Sequence, residues 1–102
     1  DCALDFGKSA AELARQIRAL APRPGATARL NEKRLRITQG AESPLPAPGP
    51  PGHVEIWDKK RVLVATAAGT LEILRAQLEG RKELPAQDLA NGRVVGQGDI
   101  LG

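Results

Sequence analysis

Two side chains in this sequence could act as a nucleophile or a neutral-pH base: one cysteine, Cys2, and one histidine, His53. A nucleophile of this kind needs an adjacent base to activate it, so any such engine would have to pass through His53. That histidine opens a strand after a proline-rich stretch, a setting that suits a solvated edge histidine better than a base or a ligand. A single cysteine excludes an intrachain disulfide and a cysteine-rich metal site, and one histidine beside it leaves zinc or copper short of donors. Gly96-Gln97-Gly98 lacks the following helix that would complete a phosphate cradle. Glu83 and Asp88 are close in sequence, as chance pairs are among 12 acidic residues. The sequence therefore predicts no catalytic residue, no cofactor site and no metal site within the chain.

What remains is charge. The chain carries 15 Lys and Arg against 12 Asp and Glu, a formal +3. The excess is local. Residues 1–40 hold eight basic groups against four acidic ones, while residues 61–102 are balanced. The density is greatest from Arg23 to Arg36. Clustered cations suit a polyanion, because each neutralised phosphate releases condensed counterions; a solvated face kept soluble by arginine is the plainer alternative. The candidate contacts are Arg18, Arg23, Arg29, Lys33, Arg34 and Arg36, with Arg81 and Lys82 as a weaker second cluster. Trp57 and Phe6 are the only aromatic residues. A platform for unpaired bases needs several rings, so Trp57 reads as core or as a partner for Arg61, and the arginines as contacts to a sugar–phosphate backbone.

These groups need a scaffold. Ser9 and Glu12 form an S-x-x-E capping box at the start of a helix over 9–21. Its apolar stripe is Leu13, Ile17 and Leu20, and Pro22, Pro24 and Gly25 end it. Phe6 precedes the cap and is expected to fold back on the core. A hairpin follows, with Asn31 and Glu32 as its turn. In this register Ala26, Ala28, Leu30, Leu35 and Ile37 share one side, and Thr27, Arg29, Arg34 and Arg36 the other. A slip of one residue would mix the two sets. The stretch 41–52, with five of the eight prolines, reads as an exposed extended loop. Val54 and Ile56 then pair with Val64 and Val62 around a loop at 58–60, with Trp57 opposite Arg61. Residues 70–78 form a strand apolar on both faces, which predicts a central position. A turn at 80–83 leads to Pro85, expected at the first position of a short helix, with Leu89 inward and Gly92 as its stop. The tail from 93 to 102 shows no firm pattern.

Leu, Ile, Val and Phe make up 24 of the 102 residues, enough for one small core. The expectation is a single domain over 1–102 of the α+β class, mainly β. Its form would be a small open antiparallel barrel of the oligonucleotide-binding type, with an N-terminal helix and a short C-terminal helix. No window reaches the apolar length of a membrane span and no basic-then-apolar leader is present, so a cytoplasmic location is expected.

Two sets of residues resemble a known family. Leu4-Asp5-Phe6, Ser9-Ala10, Ile17-Arg18-Ala19-Leu20, Pro22, Pro24, Gly25 and Ala26 resemble the start of the C-terminal domain of methionyl-tRNA formyltransferases. Val62–Thr66, Gly69, Leu71, Ile73, Gln77, Gly80, Lys82, Ala86, Gln87-Asp88-Leu89 and Gly92 resemble the rest of it. The proline-rich loop at 44–51 and the Asn-Glu turn depart from that pattern. The resemblance implies an open barrel of the same type, following a Rossmann-type catalytic domain in the same polypeptide. That domain would bind 10-formyltetrahydrofolate and transfer its formyl group to the methionine of initiator tRNA. The family's catalytic Asn, His and Asp lie there, so this chain alone would be inactive. A start at Asp1 without Met agrees with a fragment. The resemblance implies tRNA contact without sequence preference, placed on the basic residues named above by their charge pattern. The alternatives are a structural barrel of a formyltransferase acting on a folate or nucleotide sugar, its arginines meeting acidic groups of a catalytic domain, and a free-standing single-strand binder, which the shortage of aromatics disfavours.

Overall fold

The computed structural model describes residues 2–47 and 49–102. Helix α1 spans Ala10–Leu20, and both halves of its capping box are made: the Glu12 N–H donates to Ser9 Oγ at 3.2 Å and the Ser9 N–H to Glu12 Oε1 at 3.2 Å. The Ser9 N–H, together with the Ser9 hydroxyl donating to Glu12 Oε1 at 3.1 Å, holds the Glu12 carboxyl below the ordinary glutamate range. Ala10, Leu13, Ala14 and Ile17 are buried against the sheet, and each large apolar side chain contributes about 1.5–3 kcal/mol on burial. Phe6 is buried, as its place before the cap predicts. The bonds Ala21–Pro22 and Arg23–Pro24 beyond the helix are both cis.

Strands β1 (Ala26–Leu30) and β2 (Lys33–Ser43) form the hairpin in the predicted register, from Ala26 opposite Ile37 to Leu30 opposite Lys33. Asn31 takes a left-handed φ of 57°, which its short polar side chain tolerates, so the turn closes without glycine. Strands β3 (Val54–Trp57) and β4 (Arg61–Ala65) pair as expected, Val54 with Val64 and Trp57 with Arg61. Strand β5 (Thr70–Leu78) is central, flanked by β2 and β4 and joined also by the short β6 (Glu83–Pro85). Helix α2 covers Ala86–Asn91 and seats Leu89 in the core.

Four expectations need correction. The proposed loop at 41–52 starts late, because β2 continues through Ser43 and pairs Ala41, Glu42 and Ser43 with Glu72, Leu71 and Thr70. Pro48 of that stretch lies outside the described residues. The two apolar faces of β5 are one face interrupted: the register shifts twice between Ile37 and Gly40. This brings Ile73 and Ala76 to the same interior and leaves Leu74 half-buried. An added residue in a ladder switches side-chain parity in this way. The strand buried on both faces is β4, with Val62, Leu63, Val64 and Ala65 all enclosed. Pro85 stands at the N-cap and closes β6 before the helix starts, so Glu83 is a strand residue rather than part of a turn.

The architecture is small, mainly β and open, with six antiparallel strands and two helices among the described residues. The path runs β1-β2-β5-β4-β3, and its end strands do not pair with each other. The tail spans the space between them. Leu101 bridges to Leu30 and Ile100 to His53. The Leu101 N–H donates to the Gly52 carbonyl at 2.8 Å, and the Val54 N–H to the Asp99 carbonyl at 2.9 Å. On the outer side of β1, Ala3 bridges to Thr27. No helix among the described residues is long and apolar enough to cross a membrane.

Candidate nucleic-acid interface

The β1–β2 register places the arginines. Arg29 and Arg34 are direct partners and both exposed; Thr27 and Arg36 form the next rung, with Arg36 half-buried. The row continues onto β5, where Gln77 faces Arg36 and, past the register shift, Arg75 faces Gln39. Three adjoining grooves share these residues. Arg29 and Arg34 line one with Gly25 and Thr27. Arg34 and Arg36 line the next with Gln77 and Glu79. Arg36 lines the third with Arg23, Arg75 and Gln77. Five arginines thus border one continuous surface.

Two carboxylates, Glu79 and Glu83, border this surface, and neither forms an ion pair with Arg23, Arg29, Arg34 or Arg36. Among the described residues the ion pairs are Arg61–Glu72 at 2.7 Å and Arg75–Glu83 at 3.0 Å; Arg23, Arg29, Arg34 and Arg36 take part in neither. Glu79 Oε1 accepts the backbone N–H of Arg34 at 3.0 Å. Glu83 Oε2 accepts from the Thr38 hydroxyl at 2.7 Å and from Arg75 Nε at 3.0 Å, and those donors hold its carboxyl below the ordinary range. Arg36 Nη2 donates to Gln77 Oε1 at 2.9 Å, and Gln77 Nε2 donates to the Arg81 carbonyl at 2.7 Å.

Of the residues singled out in the sequence, Arg23, Arg29, Arg34 and Arg36 come together. Arg18 is exposed on the last turn of α1 and borders none of the three grooves. Lys33 sits at the hairpin turn and lines a separate depression with Leu30, Leu78 and Val94. Arg81 and Lys82 are exposed on the turn between β5 and β6, and Arg81 meets the face through its carbonyl. The sequence reading missed Arg75 and Gln77. Their i, i+2 spacing marks a shared strand face, but which face depends on the irregularity between Ile37 and Gly40.

The other candidates lie apart. His53 Nδ1 is 3.0 Å from the Pro50 carbonyl, which fits the edge-histidine reading. Trp57 is half-buried opposite Arg61, whose guanidinium is directed at Glu72 through Nε at 2.9 Å and Nη2 at 2.7 Å. Among the described residues no three His, Cys, Asp or Glu side chains gather in a way that could hold a metal ion.

Comparison with known proteins adds a family. The model described as "Formyl transferase, C-terminal domain" matches residues 1–94. A methionyl-tRNA formyltransferase of Thermus thermophilus is 41% identical over 104 residues, covering 97% of this chain and 32% of its own. That of Thermobifida fusca is 38% identical over 104 residues, covering 100% and 33%. One from Dehalococcoides mccartyi is 35% identical over 99 residues, covering 97% and 32%. The chain spans about a third of the length of these curated relatives. Among solved structures, a variant of HypX from Aquifex aeolicus superposes with a TM-score of 0.70 at 20% identity, over 90% of this chain and 16% of its own. That likeness is one of fold.

Proposed function

The chain belongs to the formyl transferase C-terminal domain family, and from that membership we propose that it is the tRNA-binding end of a methionyl-tRNA formyltransferase. In this reading residues 1–102 are one domain that follows a catalytic domain in the same polypeptide and works in the cytoplasm. The catalytic domain binds 10-formyltetrahydrofolate and formylates initiator methionyl-tRNA. In this reading that chemistry belongs to the catalytic domain. The contribution of this chain is to hold the RNA against the reaction centre.

The observation that carries the reading is the gathering of Arg23, Arg29, Arg34 and Arg36 on one face, outside every ion pair among the described residues. Guanidinium forks match phosphate oxygens in two-point contact, and without aromatic neighbours they contact backbone rather than bases. Arg18, Lys33, Arg81 and Lys82 extend the field around this centre. The test is a titration with unfractionated tRNA across salt, from about 50 to 200 mM. If four phosphates are met, the log–log slope of affinity against salt is about −3 to −4. Binding that is undetectable at low salt, or indifferent to salt, overturns the reading and favours a scaffold whose arginines face acidic groups of the catalytic domain.

A further inference from the structure

Arg36 differs from the other arginines of the face in being held from two sides. Its aliphatic stem lies over Gly25, where an added Cβ would come within 2.4 Å of Arg36 Cδ and 2.8 Å of Cγ. Its head group is gripped by Gln77, whose amide is itself oriented by the Arg81 carbonyl. That second bond fixes which end of the amide faces the arginine: Nε2 must donate to a carbonyl, so Oε1 is left to accept from Nη2. Arg36 and Gln77 together border both the groove containing Arg34 and the groove containing Arg23 and Arg75. They form the ridge at the middle of the basic surface.

We infer that Gln77 is a positioning residue that presets the Arg36 guanidinium for a phosphate oxygen, with Gly25 providing the space for its stem. This rests on the tRNA-binding reading above and identifies its anchor. The residue type matters. A carboxylate at 77 would orient the arginine equally well but cancel its charge, whereas a neutral amide orients it and leaves the charge for the ligand. A guanidinium fork carries five N–H donors, so one bond to Gln77 leaves the others for an anion. Holding the long side chain in place beforehand removes part of the ordering cost that a free surface arginine meets on binding.

The test compares four versions of the 102-residue chain: wild type, Gln77→Leu, Arg36→Ala and the double variant, each titrated with unfractionated tRNA at fixed salt. Gln77→Leu leaves the formal charge unchanged and lowers affinity about two- to tenfold, the effect of one side chain losing its preset geometry. In the Arg36→Ala background the same change has no further effect, because its target is gone. Thermal unfolding followed by circular dichroism identifies any variant that loses the fold, and Gln77→Met then takes the place of Gln77→Leu. Gln77→Glu is a control of opposite logic: it keeps the acceptor, neutralises Arg36 and makes the salt slope shallower by about one. Wild-type affinity retained in Gln77→Leu, or an equal loss with and without Arg36, overturns the assignment while leaving tRNA binding intact. A wild-type chain that binds no tRNA overturns both.

Discussion

Arg29 and Arg34 stand opposite each other across the β1–β2 hairpin while their backbones bond in opposite directions. Arg29 exchanges both of its bonds with Gly102, each at 2.9 Å; Arg34 accepts from the Glu79 N–H at 2.8 Å and donates to the Glu79 carboxylate at 3.0 Å. Their rung is therefore a non-hydrogen-bonded pair, the closer kind, with Cα atoms about 4.5 Å apart. Like charges at such a rung cost about 0.2–1 kcal/mol. Replacing Arg34 with Thr removes that repulsion and keeps a good strand former, so the free chain is stabilised by about that amount at low salt. The same change lowers tRNA affinity and makes the salt slope shallower by about one. Chemical denaturation beside the tRNA titration checks both signs; a variant that is both less stable and a weaker binder contradicts this account of the pair.

Glu83 gives a prediction with a definite pH sign. Thr38 and Arg75 hold its carboxyl below the ordinary 4.5. A group whose folded pKa is depressed stabilises the fold above its unfolded pKa and loses that contribution as pH falls through the folded value. The Glu83→Gln variant is accordingly less stable than wild type near neutrality, and the two converge in acid below the ordinary glutamate range. The substitution also releases Arg75 from its carboxylate, so tRNA affinity rises. Melting temperatures from pH 7 down to about 2, with binding measured at pH 7, check both parts; a constant gap between the melting curves rules out the linkage.

The hairpin was legible because it has one buried face and alternates cleanly, so that a one-residue slip would put its arginines among the apolar residues; the β3–β4 pairing was legible from the alternation of Val54 and Ile56 and the short loop at 58–60, although β4 is buried on both faces. The helix was legible because Ser9 and Glu12 mark its start and Pro22 its end. Strand β5 was legible in extent but not in facing, since Ile73 and Ala76 reach one interior only because Leu74 is left unpaired in β5, next to the unpaired Thr38 of β2, and no local residue pattern announces it. Arg75 and Gln77 were missed for the same reason. The tail was unreadable because its role is carried by backbone bonds of Asp99, Leu101 and Gly102 to distant strands, which leave no side-chain period.

Ser9→Ala removes the oxygen that accepts the Glu12 N–H. An N-cap substitution of this kind costs about 1 kcal/mol. The Ser9 hydroxyl is the second of two donors that lower the Glu12 carboxyl pKa, after the Ser9 backbone N–H, which alanine keeps, so the variant shows a slightly smaller loss of stability between neutral and acid pH than wild type does. Urea midpoints at pH 7 and near pH 3 measure both effects, and equal destabilisation at the two values would separate the cap from the carboxyl.

Gly52 is the position at which closure by the tail is most exposed to test. It adopts a φ of +94°, and an added Cβ would lie 2.4 Å from the Leu101 carbonyl oxygen, a backbone atom with nowhere to rotate. Gly52 also accepts the Leu101 N–H and donates to Ala65 at 2.9 Å, so it joins the tail to β4. Gly52→Ala therefore combines a left-handed backbone disfavoured for L-residues with expulsion of Leu101 from its bridge to Leu30. The expected loss is about 2 kcal/mol or more. It should be local in its first effects. In hydrogen exchange the amides of Leu101, Gly102, Arg29 and Val54 lose protection, because each bonds across the space between β1 and β3. Those of β4 and β5 keep theirs, since the ladder from Val62 opposite Ile73 to Ala65 opposite Thr70 does not involve the tail. Loss of protection across β4 and β5 at the same rate would show that closure and core unfold as one unit; unchanged protection at Leu101 would show that the bridges of the tail do not hold the end strands.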